Sequence, residues 1–308
     1  MTDGPPASPS LDSPAPLCDN SGMIVDAHTH IFPPEIAANR ERFRLQDAWF
    51  ARLYASPKAR LSTAEDLVAA MDEAQVDVAV VCGFGWADAG LCRLHNDYIA
   101  SAVQAHRGRL VGLAVVNPRT SAAPAELARA ASLGLAGIGE LMPDGQGYSL
   151  ADADTLAPIA EAAGALGWPV LTHACEPVGH DYAGKGAPSL AAALSLAQAF
   201  PSLTLILAHW GGGLLFYELM PEVRRALARV YYDTAASPLL YDDRIYRLGD
   251  DLAPGRVLYA SDWPLLPMAR CLEQVRAAGL SPSALASVLG KNAAVAFGLG
   301  GVAREADT

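Results

Sequence analysis

The chain has 308 residues, 52% hydrophobic and 18% charged, with a formal net charge of -11. That supply of apolar side chains excludes global disorder and suffices for a large core. The negative charge, with no local Lys/Arg cluster, opposes the counterion release that drives nucleic-acid binding, and no run approaches the roughly 18 apolar residues of a membrane span.

Residues 1–22 are rich in Pro, Ser, Asp and Gly and read as a disordered tail, because they have too little apolar surface to offset the entropy of ordering. They lack the basic-then-apolar run of a signal peptide. Residues 23–300 read as one domain, and 301–308 as a short C-terminal tail. The five cysteines, Cys18, Cys82, Cys92, Cys175 and Cys271, are odd in number and form no C-x-x-C spacing. They predict neither a disulfide framework nor a cysteine zinc site, and they fit a reducing, cytoplasmic setting.

Between the tails, short β-rich runs alternate with Ala/Leu-rich helical patterns. Strands are expected at 23–28, 76–82, 109–116, 135–140, 168–173, 203–209, 229–234 and 256–262. Val78-Ala79-Val80-Val81 and Leu203-Thr204-Leu205-Ile206-Leu207 are nearly all apolar, as in parallel strands covered on both faces. Thr63, with Asp66 three residues on, predicts the N-cap of a helix through Met71. Eight strand-helix repeats in about 250 residues match a (β/α)8 TIM barrel, whose active site lies at the C-terminal strand ends. The stretch 31–61, with Phe43, Trp49, Phe50 and Tyr54, is too long for an ordinary connection and is expected to cover the barrel mouth.

Four of the seven histidines stand at those strand ends: His28 and His30 on the first, His173 on the fifth and His209 on the sixth. Asp262 closes the eighth. At i and i+2 on a strand, His28 and His30 project to one side. By the same alternation Asp26 faces that side too. Imidazoles and a carboxylate gathered from separate strand ends are the ligand types of a catalytic zinc site with an open position.

Asp26-Ala27-His28-Thr29-His30, His173, Ala208-His209-Trp210-Gly211-Gly212-Gly213 and Ser261-Asp262-Trp263-Pro264 together resemble the amidohydrolase superfamily, in the branch of the aminocarboxymuconate-semialdehyde decarboxylase type. The resemblance runs from residue 23 to about 298 and includes Lys291-Asn292-Ala293 at the start of a final helix. It implies that His28, His30, His173 and Asp262 bind one divalent metal, with zinc expected, and that Asp262 and His209 are catalytic. Zinc lowers the pKa of water to roughly 7; Asp262 would relay a proton and His209 would face the water or the substrate. Glu140, ending the fourth strand, stands where some superfamily members carry a bridging carboxylate, so a second metal using His173 and His209 is the alternative. The resemblance also implies a homo-oligomer.

The loop after the fifth strand, Cys175 to Gly186, concentrates polar groups. His180 and Lys185 are candidates to bind a substrate carboxylate, Tyr182 to donate a hydrogen bond, and Trp210 to line the pocket. Asp233 and Tyr241 could add polar contacts. His95 and His106 read as structural, and Cys175 as no nucleophile. The triple glycine lacks the Lys and Ser/Thr of a phosphate loop and reads as close backbone packing. The resulting expectation is a metal-dependent hydrolase of a small-molecule C-N or C-O bond. A non-oxidative decarboxylase of an unsaturated or aromatic acid ranks second, and a non-catalytic metal-binding protein third.

Overall fold

The computed structural model describes residues 22–187 and 189–299; of the two expected tails, 1–21 and 301–308 lie outside the described residues. Eight strands follow in chain order: β1 (Val25–His30), β2 (Val78–Cys82), β3 (Leu110–Gly112), β4 (Ile138–Leu141), β5 (Val170–Thr172), β6 (Leu205–Leu207), β7 (Val230–Asp233) and β8 (Val257–Leu258). Every neighbouring pair within β1–β3 and within β4–β8 is parallel. The two seams close the ring. Ala114 bridges to Ile138 and Thr29 to Trp263, with Ala136 N donating to Gly112 O at 2.8 Å and Ala27 N to Tyr259 O at 2.9 Å. Helices between the strands complete the (β/α)8 barrel that the alternating pattern predicts.

The apolar strands alternate as the buried-sheet reading requires. Val78, Val80 and Cys82 fill the barrel interior with Leu171, Ile206 and Leu258, packed against Ala293, Ala296 and Phe297 near the C-terminus. Ala79 and Val81 face the helix layer. The predicted helix start is present: Thr63 Oγ1 accepts from Asp66 N, and Asp66 Oδ2 from Thr63 N, opening the Ala64–Ala74 helix. Among the described residues no helix is long and apolar enough to cross a membrane.

β1 departs from strict alternation. Its register slips between Asp26 and Thr29, so Val25 and Ala27 fill the interior while His28 and His30 still meet above them. Asp26 therefore does not share their side. Its Oδ1 accepts from Ser261 N at 3.0 Å and His28 N at 3.3 Å, and burial pushes its carboxyl up to about 7.

The 31–61 insertion forms three short helices, Pro34–Ala38, Arg40–Arg44 and Ala48–Leu53. Its Phe32, Ile36, Phe43 and Phe50 pack on Phe84, Trp86 and Val115 of the rim. Asp47 fastens it, one carboxylate oxygen capping Phe50 N at 2.8 Å and the other taking Ala87 N at 3.0 Å.

His95 is structural, as expected, but it lies on the fully buried face of its helix. Its Nε2 donates to Ile31 O at 2.7 Å, while Nδ1 accepts from Phe84 N at 3.2 Å and Trp86 Nε1 at 3.0 Å. Protonating Nδ1 would break both acceptances, and burial pushes its pKa down to about 4. Because the folded value lies below the unfolded one of about 6.5, the unfolded state binds more protons between the two, and stability falls as pH drops through that window. Urea unfolding of wild type and His95→Gln is expected to show the wild-type advantage shrinking by about 1.5 kcal/mol from pH 6.5 to pH 5, the slope rising toward roughly 1.4 kcal/mol per pH unit as the unfolded histidine protonates.

Candidate metal centre

His28, His30 and Asp262 bring one ligand atom each within 4.8 Å of one another, and Glu140, His173 and His209 do the same. Glu140 joins the two groups: Oε2 lies 3.7 Å from His28 Nε2 and 3.6 Å from His30 Nε2, and Oε1 lies 3.0 Å from His173 Nδ1. Gly139 sets that carboxylate in place, because a Cβ there would meet Leu171 Cβ at 2.7 Å. His30 Nε2 is 3.5 Å from Asp262 Oδ1.

The partners of each outer nitrogen fix the tautomers. His28 Nδ1 donates to Asp233 Oδ2 at 2.8 Å, and His30 Nδ1 donates to the Gly83 carbonyl at 3.2 Å. When neutral, both rings then aim an Nε2 lone pair inward, and these two nitrogens are 3.0 Å apart. His173 Nε2 donates to Gly184 O at 3.1 Å, which turns its Nδ1 lone pair toward the Glu140 carboxylate. Lone pairs and carboxylates facing one another require positive charge between them, either a proton or a cation. Metal-binding imidazoles are oriented in this way, by a carboxylate or carbonyl on the far nitrogen. The residues present therefore fit a divalent cation.

The electrostatics run the same way. Burial works against a charged His28, yet the Asp233 and Glu140 carboxylates hold its pKa well above the usual histidine value. Burial also opposes charge on Glu140, but His28 and His173 hold its carboxyl well below the usual range. Burial and the neighbouring His28 push His30 down.

His209 Nδ1 donates to Ala235 O at 3.0 Å, leaving Nε2 free, and its ring lies 5.0 Å from that of His173 and 5.8 Å from that of His28. His209 and Asp262 both have positive φ, 55° and 61°, a conformation seldom adopted outside glycine and concentrated at functional sites. The left-handed run continues through Trp210 and the three glycines. Gly212 is required there, since a Cβ would fall 2.2 Å from Cys175 O. The triple glycine is thus close backbone packing against the loop after β5.

The amidohydrolase family model matches residues 25–299. The chain belongs to that family. No curated protein matches it. Among solved structures, this amidohydrolase-family chain resembles 5-carboxyvanillate decarboxylase from Sphingomonas paucimobilis, with 24% identity and a TM-score of 0.73 over 89% of this chain and 98% of the other. It also resembles 5-carboxyvanillate decarboxylase from Novosphingobium aromaticivorans with bound manganese and 3-methoxy-4-hydroxy-5-nitrobenzoic acid, at 18% and 0.73 over 91% and 98%. A third is 2,6-dihydroxybenzoate decarboxylase complexed with 2,6-dihydroxybenzoate, at 18% and 0.69 over 90% and 99%. At these identities the likeness shows the barrel fold.

The structure gives most of the expected substrate-contact residues partners within the protein. Trp210 is fully buried, with Nε1 donating to Ser237 Oγ at 2.6 Å and its ring against Tyr246; the left-handed turn after His209 swings it into the helix layer. Lys185 spends its ammonium on three carbonyls of its own loop, Val178, Gly179 and His180, at 2.9, 3.2 and 3.1 Å. Tyr182 donates to Glu176 Oε2 at 2.9 Å, and His180 is exposed beside Tyr182. The loop is thus stapled to itself, and Gly184 O meets the centre through His173. Asp233, expected as a polar contact, instead orients His28 and takes His209 N at 2.8 Å on its other oxygen. Tyr54 is a residue to which sequence reasoning gave no site role. Its ring packs on Phe50 at 4.6 Å and edge-on to Phe32 at 5.3 Å, both from the mouth insertion. Burial, with the Asp262 and Glu140 carboxylates adding to it, raises its phenol.

Metal stoichiometry tests the two groups directly. Protein purified without added zinc is expected to carry one divalent ion per chain. A reproducible two-to-one ratio that falls to one in Glu140→Gln would establish the bridged two-ion arrangement instead.

Proposed function

We propose that this protein is a metal-dependent, non-oxidative decarboxylase of a small aromatic or unsaturated carboxylic acid. The observation that carries this reading is the convergence of the inward lone pairs of His28 and His30 with Asp262 and Glu140 at the barrel mouth, opposite His173 and His209. The barrels named above, which are carboxylic-acid decarboxylases by name, support the same chemistry, while a probable 2-pyrone-4,6-dicarboxylic acid hydrolase, at a TM-score of 0.61, shares the fold as well. Hydrolysis, ranked first on sequence, becomes the second reading, because the same side chains serve both reactions and the decarboxylases favour carbon-carbon cleavage.

His28, His30, His173 and Asp262 would hold the ion, with Glu140 between His173 and the other two histidines. Zinc is the resemblance-based expectation, and manganese is the ion in one of the neighbours. A bound divalent cation supplies Lewis acidity, drawing negative charge from the substrate's oxygens. Asp262, whose side chain is 13% exposed at the mouth, would relay a proton to the substrate carbon. As that C-H bond forms, the bond to the carboxyl carbon breaks and carbon dioxide leaves. His209, with its Nδ1 proton committed to Ala235 O, presents Nε2 to a substrate hydroxyl. Tyr54 and the phenylalanines beside it form an apolar wall that excludes water from the mouth.

Metal-loaded protein is expected to release carbon dioxide from a panel of hydroxybenzoic and unsaturated acids, and no amine, alcohol or carboxylate from amides, esters and lactones. The reverse outcome would reinstate the hydrolase.

A further inference from the structure

The imidazoles of His28, His30 and His173 are oriented through their outer nitrogens, and the three partners are held with different firmness. Asp233, which takes His28 Nδ1, closes β7, and Gly83, which takes His30 Nδ1, directly follows β2; both are buried. The partner of His173 is Gly184 O, at 3.1 Å, and it belongs to the surface loop after β5. Pro177 through Asp181 of that loop are exposed, Val178 by 75%, and no residue of 177–187 is buried. A segment with so little apolar burial opens at low free energy.

Internal bonds make the loop one piece. Besides the three carbonyls on Lys185 Nζ, Lys185 N donates to Tyr182 O at 3.0 Å, and Tyr182 donates to Glu176 at the base. Contacts with two other elements hold it over the mouth. Arg52 Nη2, from the Ala48–Leu53 helix, donates to Lys185 O at 2.8 Å, and Ala187 N donates to Asp144 Oδ1 at 3.0 Å. These anchors share one face: the Arg52 guanidinium lies 4.7 Å over the Trp49 ring, and Trp49 packs on Gly145, where a Cβ would meet its Cγ at 2.7 Å. Gly186 permits the close approach, because a Cβ there would fall 2.6 Å from Asp144 Cγ.

We propose that residues 177–187 form a flap latched by Arg52 and Asp144, and that these two are positioning residues for His173, acting through the Gly184 carbonyl. Latched, the flap presents Gly184 O to Nε2 and turns Nδ1 toward Glu140. Unlatched, the carbonyl withdraws, and the imidazole loses the bond that sets its tautomer and ring angle. Flap docking and divalent-metal binding are therefore coupled: docking raises metal affinity, and by linkage the metal holds the flap docked by the same factor. The inference rests on His173 as a metal ligand and on no particular reaction.

The test uses the full chain without substrate and reads two quantities. One is the dissociation constant of zinc and of manganese, by competition with a chromogenic chelator; the other is hydrogen-deuterium exchange across 177–187 with and without metal. In wild type the metal is expected to slow exchange in this segment by about 3- to 10-fold, the worth of one hydrogen bond. Arg52→Ala removes one anchor from an exposed side chain, and Gly186→Ala wedges a methyl against Asp144. Both are expected to abolish most of that protection and to weaken metal binding by about the same factor, with the Tm of metal-free Arg52→Ala unchanged. Should Gly186→Ala fail to fold, Arg52→Ala decides alone. A purely structural role for the anchors would lower Tm and leave the metal constants as in wild type, which overturns the proposal. Exchange that the metal leaves unchanged in wild type overturns it too. His173→Ala separates the flap from the metal centre: weakened binding in that variant alone removes the latch and keeps the centre, whereas unchanged binding removes His173 as a ligand and the proposal with it.

Discussion

Asp262→Asn is expected to lower decarboxylation turnover by about 10²- to 10⁴-fold, the range spanned by a positioned acid-base group. Asp262 is the one carboxylate among the four proposed ligands; it approaches the metal-facing nitrogens, at 3.5 Å from His30 Nε2, and is partly open to the mouth. Asn has the same shape, yet it cannot carry the proton that replaces the departing carboxyl. Its backbone tolerates the left-handed region as readily as Asp does, so the φ of 61° and the bond from residue 262 N to His28 O at 3.0 Å should persist. Thermal unfolding is therefore expected to stay near the wild-type temperature. Turnover within tenfold of wild type, in protein shown by elemental analysis to hold its metal, would remove Asp262 from the proton-carrying role.

Asp233→Asn is expected to weaken metal affinity by about 10- to 100-fold, the usual effect of removing a group that orients a ligand. Asp233 is fully buried and commits both oxygens. Oδ1 accepts from His209 N at 2.8 Å and Ala235 N at 3.0 Å, and Oδ2 accepts from His28 Nδ1 at 2.8 Å. The two backbone donors can be met only by an oxygen, so in Asn the amide nitrogen must turn toward His28. Nδ1 would then have to accept, the proton would move to Nε2, and the lone pair aimed at His30 would be lost. Competition with a chromogenic chelator measures the effect, and an unchanged dissociation constant would sink the tautomer argument. Turnover at saturating metal should recover in part, which would separate this variant from Asp262→Asn.

Those two aspartates mark different degrees of legibility. Asp262 could be assigned from the sequence because it ends an apolar strand in the same way as His28, His173 and His209, and strand ends in a barrel share one rim. Asp233 also ends a strand, but its job depends on which neighbouring ring its second oxygen meets, and that neighbour is 205 residues away. Asp26 was misplaced because alternation assumes an unbroken register, and β1 slips within its own length. Trp210 was misplaced because the residue after a strand end follows the turn, and this turn is left-handed. Lys185 reads as a free cation in sequence, whereas its flexible stem folds back over three carbonyls of its own loop.

By itself the sequence determined the barrel, the rim on which the chemistry stands and the residue types gathered there. Period-two burial, apolar strand runs and strand-end histidines are local properties that do not depend on distant partners. Only the tertiary structure decided the hydrogen-bond partners of His28, His30 and His173, the placement of Glu140 between His173 and the other two histidines, and which polar side chains of the loop after β5 bond within the protein. Those depend on hydrogen-bond partners brought together by ring closure, such as Gly83 for His30 and Gly184 for His173. A hydrogen bond is decided within a few tenths of an ångström, and no spacing along the chain specifies distances that fine.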